Sequence, residues 1–296
     1  MRLLVLCGMI ATGCSTASGD TPPQASAPAA ASAKAFSQAD YTAHIAALRK
    51  RLDEKQLGHL AIRIEEPFVV VGEPARLDRD RTTVRWAADH LEKAFFAARP
   101  TRILDVYLFG DAASYEAGVK ALTGDAPTTP YGFYASSENG LFMNIATGGG
   151  TLVHEIVHPY VEADFPNAPP WLNEGLGSLF EQSNERGGWI IGMTNWRLGG
   201  LQKAIKRGGL QSFHTLTHLT SAQFYGDDSG VNYAQARYLV YYLQEKGVLR
   251  DFYRTFRANR AKDPSGYTTL VGILGEKDMA DFQRRWESYV AKLTFR

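Results

Sequence analysis

The chain has 296 residues, of which 45% are hydrophobic and 21% are charged. This composition is typical of a globular protein and excludes collagen, coiled coil and complete disorder as descriptions of the whole chain. The 32 Lys and Arg residues nearly balance the 31 Asp and Glu residues, for a formal net charge of +1. Because a nearly neutral chain gives no support for a basic surface that binds a phosphate backbone, we expect no nucleic acid partner.

The first 14 residues predict export from the cytoplasm. Arg2 precedes an apolar run over residues 3–11, and small residues lead up to Cys14. This pattern is typical of a secretory signal, and its apolar stretch is too short to span a bilayer. We therefore assign residues 1–14 to a signal peptide.

The end of this segment, Ala-Thr-Gly-Cys14, resembles a bacterial lipobox, in which the cysteine becomes the lipidated first residue of the mature chain. The resemblance implies lipidation of Cys14, and Ser15 beside it implies an outer-membrane lipoprotein that faces the periplasm. A plain signal peptide cleaved nearby is the alternative. The membrane contact expected of the protein is this lipid anchor.

A linker and one folded domain are expected after the signal. Residues 15–36 are mainly Ala, Ser, Pro and Thr and contain too few large apolar side chains to build a core. Residues 37–296 have a globular composition, and both cysteines, Cys7 and Cys14, precede them. Disulfides, thiolate metal sites and cysteine nucleophiles are therefore excluded from this domain.

The domain changes character halfway along. Helical periodicity predicts helices over 41–52 and 84–98, and short apolar runs predict strands over 68–72, 103–109, 131–135 and 141–146. From Thr151 onward nearly every periodic segment predicts helix, including 195–206, 233–245, 249–257 and 280–293. We therefore predict an α+β fold with a mixed-sheet lobe over 37–168 and an all-helical lobe over 169–296.

The sequence HEIVH lies where these two halves meet. At about 100° per residue, His154 and His158 project from a helix only about 40° apart, opposite an apolar arc. Two histidines at this spacing can bind one metal ion, and Glu155 beside the first can reach a metal-bound water as a general base.

A third ligand is offered 16 residues later, in PPWLNEGLGSLFE. The two prolines suit the first turn of a helix, and we expect Glu174 to be exposed on the polar face of that helix. A short connecting loop would make the two helices antiparallel and bring Glu174 to the histidine pair. A coincidental motif and a structural zinc site are the alternatives, although structural sites usually have four ligands and are rich in cysteine.

HEIVH followed by WLNEG resembles the gluzincin metallopeptidases, and specifically their peptidase MA-like domains, over about residues 141–247. The resemblance implies a zincin-like N-terminal lobe and one Zn²⁺ held by His154, His158 and Glu174. It also implies Glu155 as general base and acid. The segment before the motif helix would be the edge strand on which substrate lies, through Leu141, Phe142, Met143 and Asn144.

The same resemblance implies an oxyanion donor, for which Tyr233 in NYAQARYLVYYL is the best candidate. Packing of Tyr233 beneath the helical lobe is the alternative. Two features depart from the family pattern: Pro159 follows the second histidine, and Ser178 stands where some relatives have a carboxylate that orients a ligand. Ser178 and Asn173 are the candidates for residues that support the ligands from behind, with Asp164 and Glu181 as further substitutes.

These observations predict a zinc-dependent peptide hydrolase of the cell envelope, acting on a peptide or protein. A noncatalytic envelope binding or assembly module that keeps the same fold is the alternative. Retention of Glu155 favours the enzyme, because an abandoned site would be expected to lose its general base. A second histidine pair, His214 and His218, has no adjoining Glu, and we interpret it as surface residues of a loop.

Overall fold

The computed structural model describes residues 35–226 and 228–295. Cys14, the expected signal peptide and nearly all of the expected linker lie outside the described residues. In chain order, the first elements are α1 (Gln38–Glu54), β1 (Ala61–Glu65), β2 (Phe68–Gly72), α2 (Pro74–Ala94), β3 (Leu104–Phe109), α3 (Ala112–Thr123), β4 (Gly132–Ala135), β5 (Gly140–Asn144) and α4 (Gly149–Asp164).

The remaining elements are mostly helical. They are α5 (Pro170–Glu181), β6 (Ser183–Arg186), β7 (Trp189–Gly192), α6 (Arg197–Lys206), α7 (Phe213–His218), α8 (Ser221–Phe224), α9 (Ser229–Glu245), α10 (Leu249–Asn259), α11 (Tyr267–Leu274) and α12 (Met279–Val290). The fold therefore mixes helices and strands and is compatible with the predicted α+β class.

One five-stranded mixed sheet organises the first half, with strand order β1-β2-β3-β5-β4. Strands β2, β3 and β5 are parallel, whereas β1 and β4 pair with them antiparallel at the two edges. The three parallel strands are buried along nearly their whole length, as their continuous apolar runs predict for strands covered on both faces. Alternate side chains pack against α1 and α3 on one face and against α2 and α4 on the other.

The expectation that the segment before the motif helix forms an edge strand is wrong. Leu141, Phe142, Met143 and Asn144 belong to β5, which lies between β3 and β4 and is buried throughout. At this end of the sheet the edge strand is β4, because the hairpin that joins β4 to β5 folds β4 onto the outer side. Residues 145–147 form a single 3₁₀ turn rather than further strand.

The prediction of an all-helical lobe over 169–296 is wrong in one place, because this half also contains two strands. Strands β6 and β7 form an antiparallel hairpin directly after α5. Gly187 and Gly188 form its turn, and both adopt positive φ angles, of 60° and 80°, which glycine tolerates without strain.

Helices α4 and α5 form the centre of the molecule. The apolar side of α4, including Leu152, Ile156 and Tyr160, is fully buried. Pro159 does not end this helix, which continues to Asp164. Within the described residues, no helix combines the length and apolar character needed to cross a membrane.

Candidate metal centre

Helix α4 places its two histidines on the side that faces α5. Gly148 precedes the first residue of the helix, and its φ of 108°, which glycine adopts without strain, turns the chain from the 3₁₀ turn into α4. Four residues apart, His154 and His158 lie on neighbouring turns with ring centroids 4.9 Å apart. The predicted placement of both imidazoles on one helix face is confirmed.

Glu174 enters the same space from α5. Its Oε2 lies 3.2 Å from His154 Nε2 and 3.8 Å from His158 Nε2. One ligand atom from each of the three residues can be chosen so that all lie within 4.8 Å of one another. The prediction that Glu174 is exposed is wrong: only 5% of the residue is accessible, because α4 covers the polar face of α5.

The three side chains also interact electrostatically. Burial alone would raise the pKa of Glu174, but the imidazoles of His158 and His154 lower this pKa to about 2. Burial likewise works against protonation of His154, yet the facing carboxylates, Glu174 first, raise the pKa of this histidine. The pocket therefore favours the ionised form of the Glu174 carboxylate. An ionised carboxylate beside two imidazoles supplies the oxygen and nitrogen ligands that a metal cation requires.

Glu155 lies beside this group without belonging to it. Its Oε2 is 3.8 Å from His158 Nε2 and accepts a 2.9 Å hydrogen bond from the backbone amide of Tyr134 on β4. Burial raises the pKa of Glu155, with partial opposition from the two neighbouring imidazoles. A largely buried carboxylate with a raised pKa, beside a candidate cation site, is equipped to accept a proton.

The two supporting candidates differ in what they contact. Asn173 Oδ1 lies 3.1 Å from His158 Nδ1, so this histidine can donate Nδ1–H to the amide and turn an unprotonated Nε2 to the site. Ser178 is fully buried, but its hydroxyl has no hydrogen bond partner within the described residues. Its carbonyl instead accepts a hydrogen bond from Arg237 on α9.

The other two substitutes lie elsewhere. Asp164 bonds to the Ala98 amide, the Tyr253 hydroxyl and Arg257, at the far end of α4. Glu181 pairs with Arg197 at the end of α5.

Tyr225 is a site residue that the sequence did not indicate. Its hydroxyl donates a 2.6 Å hydrogen bond to Glu174 Oε1, although about half of the residue is exposed. Tyr233 lies next to it, with ring centroids 6.1 Å apart, and burial followed by the charge of Glu174 raises the pKa of its hydroxyl. The only link from the sequence analysis to Tyr225 is Tyr233, the predicted oxyanion donor whose ring lies beside it.

A cleft of about 1120 Å³ opens over these residues. Edge strand β4 contributes one group of lining residues, which includes Phe133 and Tyr134, and the end of α5 and the start of α6 contribute another. Three of the large apolar residues most exposed to solvent, Tyr131, Trp196 and Tyr225, line this cleft. Exposed aromatic side chains gathered at one concave surface are typical of a binding site.

The second histidine pair is separate from this centre. His214 and His218 are exposed as predicted, but they lie on a short helix, α7, rather than a loop. The side chain of Ser212 caps that helix by accepting the Thr215 amide. The two rings stack on each other and contact Tyr267.

Searches against models of known protein families and against curated proteins find nothing that matches this chain. Function must accordingly be inferred from the side chains of the cleft.

Proposed function

We propose that this chain is a zinc-dependent peptide hydrolase of the gluzincin type. The observation that carries the proposal is the arrangement around Glu174: three potential ligand atoms lie within 4.8 Å of one another, and the carboxylate of Glu155 lies beside them. Three ligands and an adjacent unused carboxylate are what metal-assisted hydrolysis requires.

The donor set fits zinc. Two imidazoles and one carboxylate, without any thiolate, are the ligands of a catalytic zinc site, whereas structural sites are closed by four ligands. Within the described residues the group has three members, His154, His158 and Glu174. When bound, zinc supplies a Lewis acid that polarises a carbonyl group and lowers the pKa of a water molecule towards about 7.

The chain's own residues supply the proton transfers. Glu155 accepts a proton from the attacking water, as its burial and raised pKa favour, and the Tyr134 amide holds its carboxylate in position. The Tyr233 hydroxyl donates a hydrogen bond to the oxyanion that develops on the substrate carbonyl. Tyr225 keeps Glu174 oriented through its 2.6 Å hydrogen bond.

The substrate is an extended segment of a peptide or protein. Strand β4 is one of the two edge strands of the sheet and lines the cleft through Gly132, Phe133 and Tyr134. A peptide that runs beside β4 can pair with backbone groups of this strand other than the Tyr134 amide, which Glu155 occupies, while its side chains contact the aromatic residues of the cleft. In this arrangement residues 37–168 form the zincin-like lobe and 169–296 the mostly helical one.

We assign the enzyme to the cell envelope on the basis of its N-terminal sequence. Residues 1–14 comprise the signal peptide and its lipobox-like end, Cys14 carries the lipid once the residues before it are removed, and the linker leaves the cleft free in the periplasm. Cys14→Ser should move the protein from the membrane fraction to the soluble fraction and leave its zinc content unchanged. A wild-type protein that is soluble, with a mature N-terminus beyond residue 14, would exclude the anchor.

The catalytic proposal is tested by separating metal binding from turnover. The zinc-loaded domain should cleave an unstructured peptide, and Glu155→Gln should retain zinc while lowering the rate by about 10² to 10⁴. Glu162→Gln is the matched control, because Glu162 lies seven residues further along α4 and also lines the cleft. It should keep most of the wild-type rate. Equal rates for Glu155→Gln and wild type would contradict the assignment of the base.

The ligand assignment has its own test. His158→Ala or Glu174→Ala should weaken zinc binding at least about tenfold, measured by competition with a chromogenic chelator. His214→Ala removes a histidine from the exposed second pair and should leave zinc binding as in the wild type. Undiminished zinc affinity in both ligand variants would exclude this site.

A further inference from the structure

Arg197 is held inside the cleft by two aromatic rings and one carboxylate. Its guanidinium carbon lies 4.2 Å from the ring centre of Trp196 and 5.1 Å from that of Tyr233. Its Nε donates to Glu181 Oε2 at 3.4 Å. Stacking on two rings restricts the rotamers of this long side chain, so the guanidinium is already ordered before any ligand arrives.

The terminal nitrogens of Arg197 remain available. Neither of them donates a hydrogen bond to any other residue in the described part of the chain, where the side chain uses only Nε, towards Glu181. A guanidinium carries five N–H groups in a planar fork that matches a carboxylate. Arg197 is also the only Lys or Arg among the described residues that line the cleft.

The carboxylate that pairs with Arg197 also interacts with a second guanidinium. Glu181 also interacts electrostatically with Arg237, a fully buried guanidinium that Arg197 repels in turn. Burial is the main cause that lowers the pKa of Arg237 to about 10, so this side chain remains protonated at neutral pH. Glu181 therefore acts electrostatically on two guanidinium groups, although it forms an ion pair with Arg197 only.

The other carboxylates of the cleft are already engaged. Glu162 accepts hydrogen bonds from the hydroxyls of Tyr134 and Ser136 and pairs with Arg102 at 3.5 Å. Glu155 and Glu174 face the histidines. None of them forms an ion pair with Arg197.

We infer that Arg197 binds a carboxylate of the substrate and thereby determines which peptides this site accepts. The inference rests on the proposed function, because it names the substrate class of the same cleft. A free C-terminus and an Asp or Glu side chain present the same chemical group, and both can form a bidentate pair with the terminal nitrogens. Trp196 and Tyr233 stack on the guanidinium while it makes that pair.

Three peptide libraries test the inference. Each contains random hexapeptides: the first has free C-termini and no acidic residues, the second is the same but amidated, and the third is amidated with one Glu. Binding to the zinc-loaded Glu155→Gln protein is measured by calorimetry, and hydrolysis by the wild-type protein is measured by mass spectrometry. At least one carboxylate library should bind about tenfold more tightly than the neutral one, the effect of a charge-assisted hydrogen bond. Which of the two binds tighter identifies the source of the carboxylate.

Substitution of Arg197 should remove this preference. Arg197→Gln in the Glu155→Gln background should bind the three libraries equally, whereas Arg197→Lys should keep part of the preference because the charge remains. Arg102→Gln is the matched control at the Glu162 side of the cleft and should keep the preference. Far-UV circular dichroism and zinc content establish that each variant is folded. If Arg197→Gln does not fold, the wild-type preference and Arg197→Lys still decide the question.

The outcomes separate this inference from the proposed function. Equal binding of neutral and acidic peptides, binding of no library, or a preference that survives Arg197→Gln would overturn the role of Arg197. Hydrolysis without any carboxylate preference would also overturn it and leave the peptidase standing. Carboxylate-dependent binding through Arg197 without hydrolysis would support the role of Arg197 and contradict the peptidase.

Discussion

The imidazole of His154 lies directly against the backbone of Gly177. A Cβ atom added to Gly177 would be 3.0 Å from Nε2 and 3.1 Å from both Cδ2 and Cε1 of this ring. Such distances are tighter than ordinary van der Waals contact, so any larger residue must displace the ring or separate α4 from α5. The position of one potential zinc ligand therefore depends on the missing side chain of a glycine on the neighbouring helix.

Gly177→Ala should accordingly weaken zinc binding although it changes no ligand. We expect an affinity loss of about tenfold, comparable to the removal of a group that orients a ligand. Chelator competition measures the effect. Gly199→Ala is the matched control, because a Cβ added there, also within a helix, has no neighbour within 4 Å. This control should keep the zinc affinity and leave the stability equal or slightly higher. Wild-type affinity in Gly177→Ala would show that the ring can move without consequence.

Asn173 should influence the zinc affinity indirectly, through its contact with His158. Loss of its side-chain oxygen, which accepts from Nδ1 at 3.1 Å, removes the group that orients the imidazole. Asn173→Ala should therefore lower zinc affinity about 10- to 100-fold. Asn173→Asp keeps an oxygen acceptor and should retain most of the affinity. If the Ala and Asp variants bind zinc alike, the contact with Asn173 does not orient His158.

Tyr225 and Tyr233 should respond differently to loss of the hydroxyl. Tyr225→Phe removes the 2.6 Å hydrogen bond to Glu174, so it should weaken zinc binding. Tyr233→Phe should keep zinc and lower kcat by about 10² to 10³, the effect of losing one oxyanion donor. Zinc titration should therefore show a loss for Tyr225→Phe only, and steady-state kinetics at saturating zinc should show the larger loss for Tyr233→Phe. If Tyr233→Phe lost zinc and Tyr225→Phe lost only kcat, Tyr233 would orient Glu174 and Tyr225 would be the oxyanion donor.

Asp164 should be important for stability rather than chemistry. It is buried at the end of α4, and its carboxylate accepts from the Ala98 amide, the Tyr253 hydroxyl and Arg257. Asp164→Ala leaves these donors without a partner and should lower the free energy of unfolding by about 2 to 4 kcal/mol, measured with urea. Asp281→Ala is the control, since it removes an exposed carboxylate that pairs with two surface arginines. It should lower the free energy of unfolding by no more than about 1 kcal/mol. Similar losses in both variants would argue against a special role for Asp164.

The part of the site that lies on two regular helices could be predicted from the sequence. Spacing alone puts His154 and His158 on one face of α4 and Glu174 on the polar face of α5, and the structure brings these three residues together. Spacing does not indicate what covers a polar face. Glu174 therefore looks exposed in the sequence although it is buried, because α4 packs over it with its own polar side.

Features that depend on tertiary arrangement could not be predicted. Two apolar runs of similar length, β4 and β5, give no information about which of them lies at the edge of the sheet. The hairpin over 183–192 lies between long helical segments, and its turn glycines were its only local signal. Tyr225 lies just after the four-residue helix α8, where no periodicity exists to assign a direction to its side chain.

The hydrogen bond between the Tyr134 amide and Glu155 also protects the sheet. An unpaired backbone amide on a free edge is a place where the strand of another molecule can add, and this amide is occupied by a carboxylate from α4. Glu155→Ala would uncover it, so that variant should self-associate more than wild type when followed by light scattering at high concentration. Glu155→Gln retains an oxygen acceptor and should remain monodisperse relative to the Ala variant. The same carboxylate that is assigned to proton transfer thus also occupies one of the amides through which the strand of another copy would pair.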